Sequence, residues 1–260
     1  MTEGNSSLIR VWAGLVAGFL LLPLLVVIPM SFNSGRALKF PPDGLSLRWY
    51  QELLDDPAWR EAAWTSAGVA FWTVVLATTI GTAAALALMR WRSALKIGAF
   101  ALILSPMIVP VIVVAVGVFL TYSKWHMAGA FAGLVLGHTI LAIPFVVVAV
   151  MASARSYDPT LELAAQSLGA NRWQTFRRVV LPLIAPGVAS GALFAFITSW
   201  DEAVVSTFMT SPSVRTLPVL MWTQVRTELD PSLAAIGTLL VLVSTLALVA
   251  SQLLLRRSRR

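Results

Sequence analysis

The stretch ELAAQSLGANRWQTFRRVVLPL, residues 162–183, is a polar and basic segment that lies between two long apolar runs. Just before it, Asp158 is placed to cap a helix whose first residue is Pro159. Gly169 is placed to end this helix in a left-handed turn, and Asn171 can cap a second short helix. The pattern therefore predicts two short helices at a membrane face, followed by a membrane span.

One face of the first short helix is apolar. Its apolar residues recur at the helical spacing i, i+3/4, i+7, namely Leu161, Ala164 or Ala165, and Leu168. The small residues Ala164, Ala165 and Gly169 would allow the backbone of a partner to approach closely. Because a solvated loop would not need such a stripe, we expect segment 158–178 to dock on another protein.

The rest of the chain has the composition of a helical membrane protein. Of its 260 residues, 58% are hydrophobic and only 12% are charged, whereas soluble domains carry about 25% charged residues. A helix needs about 20 apolar residues to cross the hydrocarbon core. Stretches of that length without Lys, Arg, Asp or Glu are 11–35, 62–89, 97–123, 125–154, 179–200 and 231–255. The expected fold class is therefore all-α, with six transmembrane helices.

The first apolar run is too long for the core of a cleaved secretory signal and lacks a small-residue cleavage pattern. We expect an uncleaved first membrane helix, with a signal anchor as the alternative. Residues 34–61 then form an external loop that contains a short amphipathic helix at 45–54.

Most of the 19 Lys and Arg residues lie next to the ends of the expected spans that share one side of the membrane. By the positive-inside rule that side is cytoplasmic, which places both termini and segment 158–178 in the cytoplasm. This distribution accounts for the net charge of +7. We therefore expect contact with membrane lipid and no nucleic-acid partner.

Proline interrupts four of the expected spans. The densest case is SPMIVPVIVV, residues 105–114, which predicts either a packing kink or a bend that lines a pathway. Pro182 is expected to open the fifth span after the second short helix has ended near residue 180.

The residues that would signal an enzyme are missing from the sequence. The absence of Cys excludes disulfides, Cys-ligated zinc, iron–sulfur clusters and thiol catalysis. No nucleotide-binding P-loop, H-E-x-x-H or G-x-S-x-G motif occurs. We expect no catalytic site and no metal site. His138, inside the fourth span, is interpreted as hydrogen-bonded to a neighbouring helix, with a functional role as the alternative.

The polar segment resembles the EAA signature of ABC-importer permeases. The matching residues follow the spacing A-A-x3-G-x9-V-x-L-P and are Ala164, Ala165, Gly169, Val179, Leu181 and Pro182. The Glu that leads this signature would stand at position 163, where the chain has Leu163. Glu162 comes one residue early, turned by about 100° around the helix. It either supplies the usual polar contact from a shifted register or leaves that contact absent.

A second polar stretch is ITSWDEAVVSTFMTSPSVRTLPVLMW, residues 197–222, where Asp201 and Glu202 interrupt apolar sequence. Charges are costly inside a bilayer, and this pair is expected toward the external mouth of its span. One interpretation is structural, as an interfacial pair or a salt bridge to Arg215 or Arg226. The other is a carboxylate that faces a translocation path and favours cationic cargo, with Asp201 as the residue chosen.

This stretch resembles the spermidine/putrescine branch of those permeases. The matching residues are Asp201, Glu202, Val204, Val205, Ser206, Phe208, Thr216, Leu217 and Pro218. The resemblance covers about residues 62–255. It divides the chain into a first helix with its external loop (1–61), a type-1 permease domain (62–255) and a basic cytoplasmic tail (256–260).

The resemblance implies the type I ABC importer permease fold in the inner membrane and an ATP-driven import function. Segment 158–178 would be the coupling helix, with Glu162, Ala164, Ala165, Gly169 and Arg172 facing the ATPase, and Asp201 and Glu202 would lie on the substrate path. The implied partners are a second permease subunit, a cytoplasmic ABC ATPase dimer and a periplasmic solute-binding protein. ATP and Mg would bind those ATPase subunits, and this chain would bind no cofactor.

The implied cargo is a polyamine or a similar small cationic solute. One alternative is a permease for thiamine, iron or an aminophosphonate. Another is an ion-coupled secondary transporter that uses Asp201 or Glu202 as a proton site and works without ATP.

Overall fold

The computed structural model describes residues 3–91, 93–154, 158, 160–227 and 229–258, and most of this length is helical. In chain order the helices are α1 (Glu3–Met30), α2 (Arg48–Asp55), α3 (Pro57–Arg90), α4 (Leu95–Ile108), α5 (Val111–Lys124), α6 (Phe131–Ser153), α7 (Thr160–Ser167), α8 (Arg172–Thr175), α9 (Leu181–Trp200), α10 (Val204–Met209), α11 (Leu217–Thr227) and α12 (Pro231–Ser258). The all-α prediction is confirmed over these residues. Predictions on Pro159 and on the side chains of the basic tail 256–260 fall outside the described residues.

Among the described residues, five helical stretches are long and apolar enough to cross a membrane. They are Leu8–Met30, Pro57–Arg90, Phe131–Ser153, Arg172–Trp200 and Pro231–Leu253. The bent pair α4 and α5 makes a sixth if the two helices count as one span. The fourth expected span begins at Phe131 and not at Trp125, because residues 125–130 form a turn with left-handed backbone at His126 and Gly129.

The third expected span, 97–123, bends at the proline-rich stretch as the sequence predicts, and it is divided there into two helices. The helices α4 and α5 meet at an angle of 105°, and each has 14 residues, which is about 21 Å at helical rise. Pro110 has no backbone N–H with which to continue the helix. Val109 before it is extended, with ψ at 136°, as sterics with the following proline ring favour. The proline-rich stretch is therefore a break between two helices.

Helix α9 begins at Leu181, with Pro182 in its first turn as expected, but the chain is helical without interruption from α8 to α9. A π-helical turn, Phe176–Val180, joins the two helices. At its end the amide of Leu181 donates to the carbonyl of Phe176, five residues back. This wider turn precedes Pro182, which lies in the first turn of α9 and lacks a donor.

The chain divides into two compact units. One comprises Met1–Arg60 with Leu220–Val243, and the other comprises Glu61–Val219 with Ser244–Arg260. In the first unit the loop after α1 is fixed by hydrogen bonds: Trp49 Nε1 donates to the carbonyl of Asn33 at 2.7 Å. The side chain of Asn33 in turn accepts from the amide of Asp43 at 3.1 Å. The predicted short helix in this loop is confirmed as α2.

In the second unit, α3 and α9 both pack closely on α6. A Cβ added to Gly81 of α3 would lie 2.7 Å from Cβ of Val146, and one added to Gly191 of α9 would lie 3.0 Å from Cα of the same valine. Small residues at these positions let the helix axes approach, as in other membrane helix pairs. The three helices therefore form one tightly packed group.

Candidate functional site

The start of α7 is capped as the sequence predicts. Asp158 Oδ1 accepts from the amide of Thr160 at 2.9 Å, and the Asp158 carbonyl accepts from the amide of Leu161 at 3.1 Å. The bonds from Thr160 favour the ionised carboxylate and hold the pKa of Asp158 below its usual value.

The end of α7 is the predicted left-handed turn. Gly169 has a φ of +88°, a conformation that glycine adopts without steric cost. The amide of Ala170 donates to the carbonyl of Ala165 at 3.1 Å, and the amide of Gly169 donates to the carbonyl of Gln166 at 2.9 Å. This pair of bonds is a Schellman motif and satisfies two carbonyls at the helix end.

The second short helix, α8, begins with the predicted cap. Asn171 Oδ1 accepts from the amide of Gln174 at 2.9 Å, and Gln174 Oε1 accepts from the amide of Asn171 at 3.0 Å. These reciprocal bonds form a capping box. The exposed Arg172 is the first residue of α8. Two caps therefore set the turn between α7 and α8.

The apolar stripe of α7 is exposed. Leu168 is 90% exposed and Leu161 is 45% exposed, while Ala164 is also exposed and Ala165 is half-buried. An apolar surface of this kind on a structured helix is typical of a docking surface.

Glu162 points away from this stripe and toward α3. Its Oε1 and Oε2 lie 2.7 and 2.9 Å from Nη2 of Arg90, the last residue of α3. The Glu162 side chain is 20% exposed and that of Arg90 is 63% exposed. The carboxylate next to Leu163 thus makes an ion pair within this chain. Residue spacing does not predict Arg90 as its partner, because the two residues are 72 positions apart.

The adjacent carboxylates Asp201 and Glu202 lie in different environments. Asp201 follows the last residue of α9 and is exposed, whereas Glu202 is buried. Glu202 Oε1 accepts from the amides of Val204 and Val205 at 2.8 Å each, and its Oε2 accepts from the amide of Ser206 at 2.9 Å. Glu202 therefore caps the start of α10, where the helix dipole also favours a negative charge.

His138 of α6 joins this cap to α9. Its Nδ1 lies 2.9 Å from Ser199 Oγ, and its Nε2 lies 2.8 Å from Ser206 Oγ and 3.5 Å from Glu202 Oε2. His138 is 1% exposed, so the hydrogen-bonding interpretation of this residue is confirmed. The roles of Ser199 and Ser206 were not predicted, although both are small polar residues in an apolar stretch.

The alternative pairing of the acidic residues with Arg215 is not found. Within the described ranges, no ion pair joins that arginine to either carboxylate. The suggested pairing with Arg226 stays a prediction.

These features define a polytopic helical membrane protein with a capped two-helix segment beside its spans. The family of binding-protein-dependent transport system inner membrane components matches residues 77–260. The chain belongs to this family, so it is an inner-membrane component of a transport system, as the EAA-like residues predict.

Relatives resemble the chain over nearly its whole length. The spermidine/putrescine transport system permease protein PotC of Escherichia coli (strain K12) is 32% identical, over 93% of this chain and 91% of the relative. PotC of Haemophilus influenzae is 32% identical over 94% of both chains. The putrescine transport system permease protein PotI of Escherichia coli is 31% identical, over 86% of this chain and 82% of the relative. The resemblance to this branch is confirmed, and the secondary-transporter alternative is not favoured.

Solved structures agree on the fold. A bacterial ABC transporter for the import of alginate matches with a TM-score of 0.71 at 17% identity, over 97% of this chain and 95% of that chain. The methionine ABC transporter MetNI matches with a TM-score of 0.65 at 19% identity, over 76% of this chain and 95% of that chain. The predicted type I ABC importer permease fold is confirmed, and the cytoplasmic placement of both termini stays a prediction.

Proposed function

We propose that this chain is the permease subunit of an ATP-driven importer that moves a polyamine, or a similar small cationic solute, into the cytoplasm. The observation that carries this proposal is the 32% identity to PotC over 93% of the chain. Coverage of that extent includes the spans as well as segment 158–178. The similarity to PotI, a putrescine permease, points to the same class of cargo.

The complete importer combines this chain with a second permease, an ATPase dimer and a solute-binding protein. A second permease, homologous or identical, pairs with this chain, and a cytoplasmic ATPase dimer binds ATP and Mg. A periplasmic solute-binding protein delivers cargo. The family description names dependence on a binding protein, and one solved relative, the alginate transporter, is a complex with its periplasmic protein. This chain supplies no catalytic site, so hydrolysis belongs to the ATPase.

Segment 158–178 is the contact with the ATPase. The exposed stripe of Leu161, Ala164 and Leu168 docks in a groove of that subunit, where small side chains permit close approach. Ala165, Gly169 and Arg172 complete the contact. Motion of α7 then enters the bundle through α8 and the π turn, because the chain continues as one helical stretch to Trp200.

Asp201 is the carboxylate on the cargo path. It is exposed at the end of α9, whereas Glu202 is occupied by three backbone amides. A carboxylate that faces the path offsets the desolvation of an ammonium group as the cargo enters. Glu202 and His138 hold the backbone that presents Asp201.

Reconstitution tests this function. The chain is placed in liposomes with its second permease, ATPase and binding protein, and uptake of labelled spermidine and putrescine is measured with and without ATP. We expect uptake that requires ATP and every subunit, with methionine as the control solute that is not taken up. Accumulation driven by an ion gradient without ATP, or no polyamine uptake, would contradict the proposal.

A further inference from the structure

An ion pair joins the end of α3 to the side of α7 that faces away from the exposed stripe. Arg90 Nη2 lies 2.7 Å from Oε1 and 2.9 Å from Oε2 of Glu162. A carboxylate at position 162 faces α3, whereas the neighbouring Leu163 is 64% exposed. Because the acidic residue stands at position 162 and not at 163, its carboxylate points toward α3 and not toward the exposed surface.

A cavity adjoins this ion pair. A cavity of about 340 Å³ lies between the end of α3, α7 and the beginning of α9, and its wall includes Leu86, Leu163 and Ile184 together with the ion pair. Apolar side chains that leave such a space lose the contacts that would hold the helices together. The charged pair therefore bridges a gap that side-chain packing leaves open.

Helix α3, which carries Arg90, belongs to the packed group of α3, α6 and α9 in the second unit. Gly81 of α3 and Gly191 of α9 both contact Val146 of α6. The helix α7 is joined to α9 by the chain itself, through α8 and the π turn. Glu162 and Arg90 therefore give α7 a direct contact with α3, in addition to the path along the chain through α8 and the π turn.

We propose that Arg90 and Glu162 form a second, non-covalent linkage through which α7 moves α3 together with α9. This inference rests on the proposed docking of α7 on the ATPase. Both residues are positioning residues that touch neither cargo nor nucleotide. Because the ion pair is partly exposed, it is weak enough to break and re-form in each ATP cycle. It nevertheless transmits force to the end of α3, a helix of 34 residues.

Site-specific labelling of the reconstituted complex tests the linkage. The chain contains no Cys, so Ala87→Cys on α3 and Leu183→Cys on α9 each introduce a single reactive thiol at an exposed position. The rate of maleimide labelling is measured with and without ATP. We expect ATP to change both rates in the otherwise wild-type complex.

Removal of either charge should uncouple the motion of α3 from that of α9. Glu162→Gln and Arg90→Gln should each reduce the ATP-dependent change at position 87 about threefold, the range of a partly exposed ion pair, and leave the change at 183 intact. The reversed pair, Arg90→Glu with Glu162→Arg, should restore the response at 87. Gln166→Ala, on the wall of the same cavity but outside the pair, is the matched control and should behave as wild type.

The outcomes separate this inference from the proposed function. A wild-type response at 87 in Glu162→Gln, or a reversed pair that assembles without restoring the response, overturns the linkage alone. If neither 87 nor 183 responds to ATP in the wild-type complex, the docking of α7 on an ATPase fails, and the linkage fails with it.

Discussion

At the scale of single residues, two neighbouring carboxylates lie in different environments. Glu202 accepts three backbone hydrogen bonds of 2.8 to 2.9 Å at the start of α10. Bonds of this kind to an ionised acceptor are stronger than bonds between neutral groups. Asp201, one position earlier, is exposed. The chain therefore uses one acid to hold its backbone, which leaves the other accessible to a cation.

Glu202→Gln should destabilise the protein. A neutral amide has one acceptor oxygen, so at least one buried N–H of α10 loses its partner, at a cost of about 1–3 kcal/mol. Thermal unfolding in detergent measures the effect. Asp201→Asn changes an exposed carboxylate and should leave the unfolding temperature unchanged. Equal stability of Glu202→Gln and wild type would show that the cap contributes nothing.

Asp201→Asn should instead weaken uptake. Loss of one charge opposite an ammonium group costs about 1 kcal/mol at 4 Å in water, which corresponds to about fivefold. Uptake of labelled spermidine by the reconstituted importer measures this loss, and copurification of the ATPase should not change. Unaltered uptake kinetics would assign the acidic pair a structural role only.

The residue contacts differ in how well the sequence predicts them. Asp158, Gly169 and Asn171 were predicted because a cap depends on groups within five residues of it in the chain. The Arg90–Glu162 pair was not, since its members are 72 positions apart. His138 was assigned a hydrogen bond, but its partners Ser199 and Ser206 lie 61 and 68 positions away. Such contacts depend on how the helices pack, which residue spacing does not specify.

At the scale of elements, the prolines show why the ends of the helices were harder to predict than their presence. Pro110 stands at a break of 105°, whereas Pro144 lies inside α6 and Pro186 inside α9. Pro182 is accommodated just after a π turn. Each proline removes one donor, but the packing of neighbouring helices decides whether the chain bends there.

The turn between α7 and α8 permits a sharp test of docking. Among the described residues no atom lies within 4 Å of the position that a Cβ on Gly169 would take, so Gly169→Trp adds bulk at an open, exposed turn. The positive φ adds strain of roughly 1–2 kcal/mol for a side chain in this region. We expect membrane insertion to persist and copurification of the ATPase to fall at least about tenfold, equivalent to about 1.4 kcal/mol.

Gly169→Asn is the matched control for this change. Asparagine tolerates the left-handed conformation and is much smaller than tryptophan. It should therefore retain most of the ATPase. Normal copurification with Gly169→Trp would indicate that the exposed stripe of α7 does not dock there.

At the scale of the whole molecule, hydropathy and charge were sufficient for the fold class. Long apolar runs must form helices in a bilayer, because no water is present to satisfy their backbone groups. The runs at 11–35, 62–89, 179–200 and 231–255 each correspond to a helical stretch that can cross a membrane. Which helices touch depends instead on small residues such as Gly81 and Gly191, whose contacts only the folded structure identifies.

The orientation of the molecule rests on its Lys and Arg distribution, and single cysteines test it. The chain contains no Cys, so Ala37→Cys in the loop after α1 and Ser167→Cys at the end of α7 each add one thiol at an exposed position. A membrane-impermeant maleimide applied to intact spheroplasts should label position 37 and leave position 167 unlabelled. After permeabilisation of the spheroplasts, the maleimide should label both positions.

We expect the two labels to give opposite results because the proposed ATPase and its ATP are cytoplasmic. Labelling of position 167 in intact spheroplasts would place α7 outside the cell, where it could not meet that subunit. The coupling role of segment 158–178 and the linkage through Arg90 and Glu162 would then both be lost. Protection of 167 together with labelling of 37 would place the exposed stripe of α7 on the cytoplasmic side, where the proposed ATPase binds.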